Sequence, residues 1–194
     1  VLRGTVRLGA DNVLGAGGPL TLGGVAGLNS FFDVNGFDAT VGGIQIGAGN
    51  TREVRNNSGS PSTLTMDVPD GESYAFAANV SGSDALNLVK DGLGTQTFNR
   101  AGGYSSGFGD VTVNEGTLGL GNDSSTTPVS GAISVTGGLL DVGETLVGVT
   151  SISVTGGTML INNDSYLGDA PGAPIADFIT LDGGSLNVQL TSGT

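Results

Sequence analysis

The chain has 194 residues, 37 of them Gly and none of them Cys, His or Trp; six basic and 18 acidic side chains set the formal charge at -12. That balance leaves no basic stripe for nucleic acid or an anionic membrane surface, and the missing thiols and imidazoles exclude a disulfide framework, a Cys/His zinc site and a Cys or His nucleophile or base. The glycines follow no collagen period, alternating Val, Ile and Leu set the chain apart from a flexible linker, and no apolar run approaches the ~20 residues of a membrane helix.

Val1 to Gly9 reads as a strand already under way. With no initiator Met and no signal peptide, an internal piece of a longer polypeptide is expected. Leu20–Leu22, Phe32–Val34 and Val41–Ile46 are short alternating segments ended by Gly or Asn. Thr63–Val68 and Tyr74–Val80 read as further strands, the two lying on successive faces. Three polar stretches, Arg52–Pro61, Asn122–Pro128 and Asp169–Pro174, read as surface loops. No amphipathic helix survives the frequent Gly and β-branched residues.

Four similar units follow, beginning at Val111, Ile133, Ile152 and Ile179 and aligned on Gly116, Gly138, Gly157 and Gly184, with separations of 22, 19 and 27 residues. A unit of this kind cannot bury its own apolar side and must stack on its neighbours. Period-two alternation directs Val111, Val113, Leu118 and Leu120 inward, with Thr112 and Gly119 outward. The equivalent inward sets are Ile133, Val135, Leu140 and Val142; Ile152, Val154, Met159 and Ile161; and Ile179, Leu181, Leu186 and Val188. Each corner holds two residues before the aligned Gly: Asn114-Glu115, Thr136-Gly137, Thr155-Gly156 or Asp182-Gly183. Asn, Asp and Gly tolerate the positive φ of a sharp corner. The expected architecture is all-β, a right-handed, three-sided parallel β-helix with roughly twenty residues per coil. It runs through 1–194 as one segment, with irregular coils over 1–87, a distinct repeat over 88–118 and further coils over 119–194.

Within that repeat, Leu88, Lys90, Gly92, Gly94 and Thr95 open a pattern that continues through Tyr104 and closes on Val113, Gly116, Thr117 and Leu118. This resembles the autotransporter-associated β-strand repeat, also called the passenger-associated transport repeat, and Lys90, the only lysine, falls on its expected position. Asp11–Gly15 and Asp33–Gly43 look like segments that accompany it. The chain departs from the pattern at Gln96, where an apolar residue is usual, at Gly102, and in a longer Tyr104–Val113 segment. The resemblance implies a long β-helix on a Gram-negative cell surface or a secreted protein, aiding passenger folding and export rather than catalysis.

Some parallel β-helices act on polysaccharides, which takes clustered Asp with an Arg or Lys base, or two facing carboxylates. Asp164, Asp169 and Asp177 are close in sequence, but no basic residue follows Arg100; Arg52, Glu53 and Arg55 read as a surface charge cluster. Asn122-Asp123 and Asn162-Asn163-Asp164 could hold calcium but lack the tandem nonapeptides of a calcium roll. Thr63/Thr65 and Thr95/Thr97 are too few for a regular ice-binding array. Phe31, Phe32, Phe37, Tyr74, Phe76, Phe98, Tyr104, Phe108, Tyr166 and Phe178 read as core or corner packing. No catalytic, cofactor or metal residue is assigned. A structural stalk is expected, with uncapped ends at Val1 and Thr194 that continue in the same chain or stack on another copy. The alternatives are an adhesin binding glycan or a host surface through the Arg52–Pro61 or Asp169–Pro174 loops, and, third, a lyase or hydrolase.

Overall fold

The computed structural model describes residues 3–15, 17–83, 85–100, 107–121, 126–167 and 176–189. The chain is a parallel β-solenoid of about 7 turns with roughly 23 residues per turn. The first turn holds β1 (Gly4–Arg7) and β2 (Leu20–Leu22), and the second β3 (Ser30–Asp33), β4 (Ala39–Val41) and β5 (Ile44–Ile46). The third holds β6 (Arg52–Asn56), β7 (Ser62–Asp67) and β8 (Ser73–Phe76), and the fourth β9 (Asn79–Gly82), β10 (Leu86–Asp91) and β11 (Thr95–Phe98). Then come β12 (Val111–Val113) and β13 (Thr117–Leu120), followed by β14 (Thr126–Pro128), β15 (Ala132–Val135) and β16 (Leu139–Val142). The last strands are β17 (Thr145–Val147), β18 (Ser151–Val154), β19 (Thr158–Ile161), β20 (Ile179–Leu181) and β21 (Ser185–Val188), with a 3₁₀ turn at Asp164–Leu167.

Among the described residues every strand pair is parallel, and successive strands of a turn lie on different faces. Face I pairs β1-β3-β6-β9 and is carried on by a Phe108–Val129 bridge and by β14-β17. Face II runs β4-β7-β10-β12-β15-β18-β20, and face III runs β8-β11-β13-β16-β19-β21. Strands of three to six residues are too short to be stable alone, so stability comes from stacking. The register superposes Leu64, Leu88, Val111, Ile133 and Ile152 in one column. All five are buried, as are Leu118, Leu120, Leu140, Val142, Met159 and Ile161 on the neighbouring face. Each such side chain contributes about 1.5–3 kcal/mol. Phe76, Phe98 and Phe108 stack from the third turn through the fifth edge to face, with centroids 5.9 and 5.1 Å apart, as their quadrupoles favour.

The last coil departs from its expected burial. Its residues stack in register, Ile179 on Ile152 and Leu186 on Met159. Yet Ile179, Leu181 and Val188 are 40%, 52% and 36% exposed, because no further described coil covers them.

Several sequence expectations need correction. Arg52–Asn56 is strand β6, not loop, with Val54 and Asn56 buried; only the residues after it turn at the surface. Thr126–Pro128 is strand β14, and the rest of that expected loop, with Asn122-Asp123, lies outside the described residues. So do Val1, Gly102, Tyr104, Asp169–Pro174 and Thr194. Val41–Ile46 is two strands on two faces, broken by the corner at Gly42-Gly43, and Tyr74–Val80 spans β8 and β9. Gly119 keeps its expected outward position, stacked between Thr97 and Asp141, and is covered there by the Thr97 side chain. In the last coil the positive φ falls at Gly183, one residue before the aligned Gly184. The threonines are less isolated than expected: Thr40, Thr65, Thr112, Ser134, Ser153 and Thr180 share one outward column on face II, interrupted by Val89.

A second device runs along the corner entering face II. Asp38 N–H donates to Asp11 Oδ1 at 2.8 Å, Thr63 N–H to Asp38 Oδ1 at 2.7 Å, Asp110 N–H to Asn87 Oδ1 at 2.9 Å and Ala132 N–H to Asp110 Oδ1 at 2.8 Å. Each Asp or Asn thus satisfies a backbone donor one coil further along, where the chain bends out of the strand ladder.

Candidate functional site

The Leu88–Leu118 run places its residues around the corner between faces II and III of the fourth and fifth turns. Lys90 occupies an inward position on β10 and is fully buried. Its Nζ donates to the carbonyl oxygens of Asp91 at 2.6 Å, Gly92 at 2.7 Å and Glu115 at 3.4 Å. Burial pulls the Lys90 pKa below 10.5, while the Asp91, Asp67 and Glu115 carboxylates pull it back up. Three carbonyl acceptors are what a buried ammonium requires, and they span two coils.

The glycines of the motif complete this corner. Gly92 and Gly116 have φ of +69° and +62°, and a Cβ at Gly116 would collide with the carbonyl oxygens of Gly94 and Gly92. Neighbouring coils therefore meet backbone to backbone, so Lys90 closes the corner and offers no accessible amine.

On face I the carboxylate of Asp33 is fully buried between two arginines. Arg7 Nε and Nη2 donate to Asp33 Oδ2 at 3.1 and 3.0 Å, and Asn35 N–H donates to Oδ1 at 3.1 Å. Arg55 Nε is 3.6 Å from Oδ2, an ion pair without a hydrogen bond. Arg55 also lies 4.0 Å from Glu53 Oε1 and stacks 4.6 Å from the Phe31 ring centroid. The Ser81 hydroxyl donates to Glu53 Oε1. The sequence placed Arg55 with Glu53, but Asp33, 22 residues earlier, joins them only through the stacking of β3 on β6. Both Asp33 oxygens are engaged, which suits a three-coil ladder better than a general acid or base.

Among the other candidates, Asp164 begins the 3₁₀ turn and Asp177 takes φ +55° in a separate turn. Asn163 Oδ1 and Asp164 Oδ1 both accept from Ser165, and Asn162 Nδ2 donates to Asp141 Oδ1 at 2.7 Å, as turn residues do. Of the aromatic residues, Phe32, Phe76, Phe98 and Phe108 are buried, and Phe37, Tyr74, Tyr166 and Phe178 pack against the core. A polar cleft of about 190 Å³ lies where faces III and I meet, lined by Asn50, Thr51, Arg52, Asn79 and Arg100 over an Ala77-Ala78 floor. Sequence reading missed it, because its two arginines lie 48 positions apart. No protein-family model, curated protein or solved structure matches this chain.

Proposed function

We propose that this chain is a structural segment, a stalk or spacer, of a secreted or surface-displayed bacterial protein resembling an autotransporter passenger. The observation that carries the reading is the inward aliphatic ladder, repeated coil by coil in register from Val111 to Ile161 and continued toward the N-terminus with polar interruptions at Asn56, Lys90 and Gln96. Such a rod gains length with each added coil and holds whatever it carries away from its anchor. The motif match at Lys90, Gly92 and Gly116 supports the passenger-like setting. In this reading the chain has no catalytic role and no cofactor. Its partner is its own continuation or a second copy stacked on the exposed edge of β20 and β21.

Fused to a heterologous outer-membrane barrel, the chain is expected to reach the surface of a Gram-negative cell and resist added protease as one folded unit. Periplasmic retention, or cleavage within the coils at the rate of an unfolded control, would sink the proposal.

A further inference from the structure

The first and last described coils, head and tail of the rod, differ in shape and in charge. At the head, β1 and β2 each pair on one side only, and β2 lies through β5 over β8, at the start of face III. An apolar cleft of about 280 Å³ opens in this coil, lined by Leu14, Gly17, Gly18, Pro19, Leu20 and Val41. Gly17 and Gly18 bring no side chain to fill it, and Leu14 stays 40% exposed. At the tail, β20 and β21 also pair on one side only among the described residues, and Leu181 is 52% exposed. Leu181 and Val41 stand in one inward column, which runs Val41, Met66, Lys90, Val113, Val135, Val154, Leu181. The column thus ends in an exposed leucine at the tail and beside an apolar cleft at the head. Charge has the same polarity. Residues 1–10 hold Arg3 and Arg7 and no acid, and Arg7 keeps 56% of its side chain exposed beyond its pair with Asp33. No basic residue follows Arg100, and the last coil carries Asp177 and Asp182.

We propose that the tail of one copy docks on the head of a second, with Leu181 entering the cleft at Leu14 and Leu20 while β21 adds its free edge to β2. The inference rests on the reading of the chain as a rod and names the surface that a second copy uses. Parallel stacking carries the inward column across the junction, as it does between every pair of coils within the chain. Each copy leaves one head and one tail free, so the assembly is an open fibre and not a closed dimer. Tail-to-tail pairing would bring Asp177 and Asp182 of both copies together and set one exposed Leu181 against another, with no cleft to receive either. Like charges across an interface disfavour that arrangement. Arg3 and Arg7 opposite the acidic tail favour head-to-tail docking, by an attraction that salt screens.

The test is sedimentation velocity of the full chain and two variants over a concentration series. Leu14→Lys blocks the head and Leu181→Lys the tail, both at exposed positions, and urea midpoints matching the unmodified chain identify folded variants. The unmodified chain is expected to grow past a dimer as its concentration rises. Each variant alone should stay monomeric, whereas an equimolar mixture should form a dimer and stop there, since one variant supplies the working tail and the other the working head. Association of Leu14→Lys alone, with none of Leu181→Lys, identifies tail-to-tail pairing and overturns the proposal; so does a mixture that stays monomeric. Should Leu14→Lys fail to fold, Arg3→Glu reads the head instead: association should weaken about tenfold or more, as should that of the unmodified chain between about 50 and 500 mM salt. Association unchanged by both overturns the charge pairing. An unmodified chain that stays monomeric throughout overturns the docking but not the rod, which surface display tests separately.

Discussion

The side-chain amide of Gln96 pairs with the backbone of Ile44, 52 residues earlier: Ile44 N–H donates to Gln96 Oε1 at 2.8 Å, and Gln96 Nε2 donates to the Ile44 carbonyl at 2.9 Å. Strand β5 pairs with β2 on one side but with no strand on the other, where the Tyr74 ring crowds Gly43. Strand β8 lies beside this edge of β5 without ladder pairing, and the buried Gln96 amide serves the Ile44 groups that such a ladder would serve. This accounts for a polar residue where the repeat it resembles carries an apolar one.

Replacing that amide by Gln96→Leu keeps the volume and removes both bonds. The variant is expected to lose about 1–3 kcal/mol by leaving buried backbone groups unsatisfied. Urea unfolding gives the loss, and faster exchange of the Ile44 amide locates it. An unchanged midpoint would mean that water serves Ile44 equally well.

Lys90→Met removes the donor shared by the Asp91, Gly92 and Glu115 carbonyls and is expected to cost about 1–3 kcal/mol at pH 7. The pH dependence carries a separate signature. Burial lowers the Lys90 pKa below 10.5, so between the lowered value and 10.5 the unfolded chain keeps a proton that the folded chain has released. Stability attributable to Lys90 therefore rises with pH across that window and is flat below it. Tyr74, raised above 10.0 by burial and then by Glu72, contributes the opposite slope above pH 10 and cancels between the two proteins. Urea midpoints from pH 8 to 10.5 should therefore show the gap between the wild-type protein and the Lys90→Met variant widening as pH rises, because the upward Lys90 slope is missing from the variant.

Two glycines separate backbone conformation from backbone crowding. Gly71 has φ +77° and open space where a methyl would stand, whereas Gly116 has φ +62° and faces two carbonyl oxygens of the preceding coil. Gly71→Ala is expected to cost about 1–2 kcal/mol, the left-handed penalty alone. Gly116→Ala should cost more than about 2 kcal/mol beyond that, because the coils must part. Equal losses in thermal unfolding would mean that coil contact at this corner is looser than described.

The solenoid was most legible from Val111 onward, where aliphatic pairs alternate and each corner ends in Gly, so period and register could be read together. It was least legible where inward positions are polar. Asn56, Lys90 and Gln96 break the alternation, and their partners are mostly backbone groups, several of them on other coils, such as Gly36 for Asn56, Glu115 for Lys90 and Ile44 for Gln96. Strand β6 was hidden for a related reason: Glu53 and Arg55 face outward around Val54, so a buried strand presents a polar composition. The arginine cleft was beyond local reading altogether, since stacking alone brings Arg52 to Arg100.

The exposed last coil separates burial from register. Leu181→Lys is expected to change stability by less than about 0.5 kcal/mol, whereas Val154→Lys, one coil inward in the same column, should unfold the rod. If second copies stack on this edge, Leu181→Lys should also abolish the concentration-dependent species seen in sedimentation velocity. Equal association of the two proteins would contradict stacking at β20 and β21.

The central claim, that this chain is a rod assembled from interchangeable coils, is tested most directly by lengthening it. A duplicate of residues 139–157, from Leu139 to Gly157, inserted after Gly157 adds one whole coil in register. The account expects a cooperatively folded protein of equal or greater stability, with its ends about 4.8 Å further apart by spin-label distance measurement. Loss of cooperative unfolding, or an unchanged end-to-end distance in the folded protein, would contradict it.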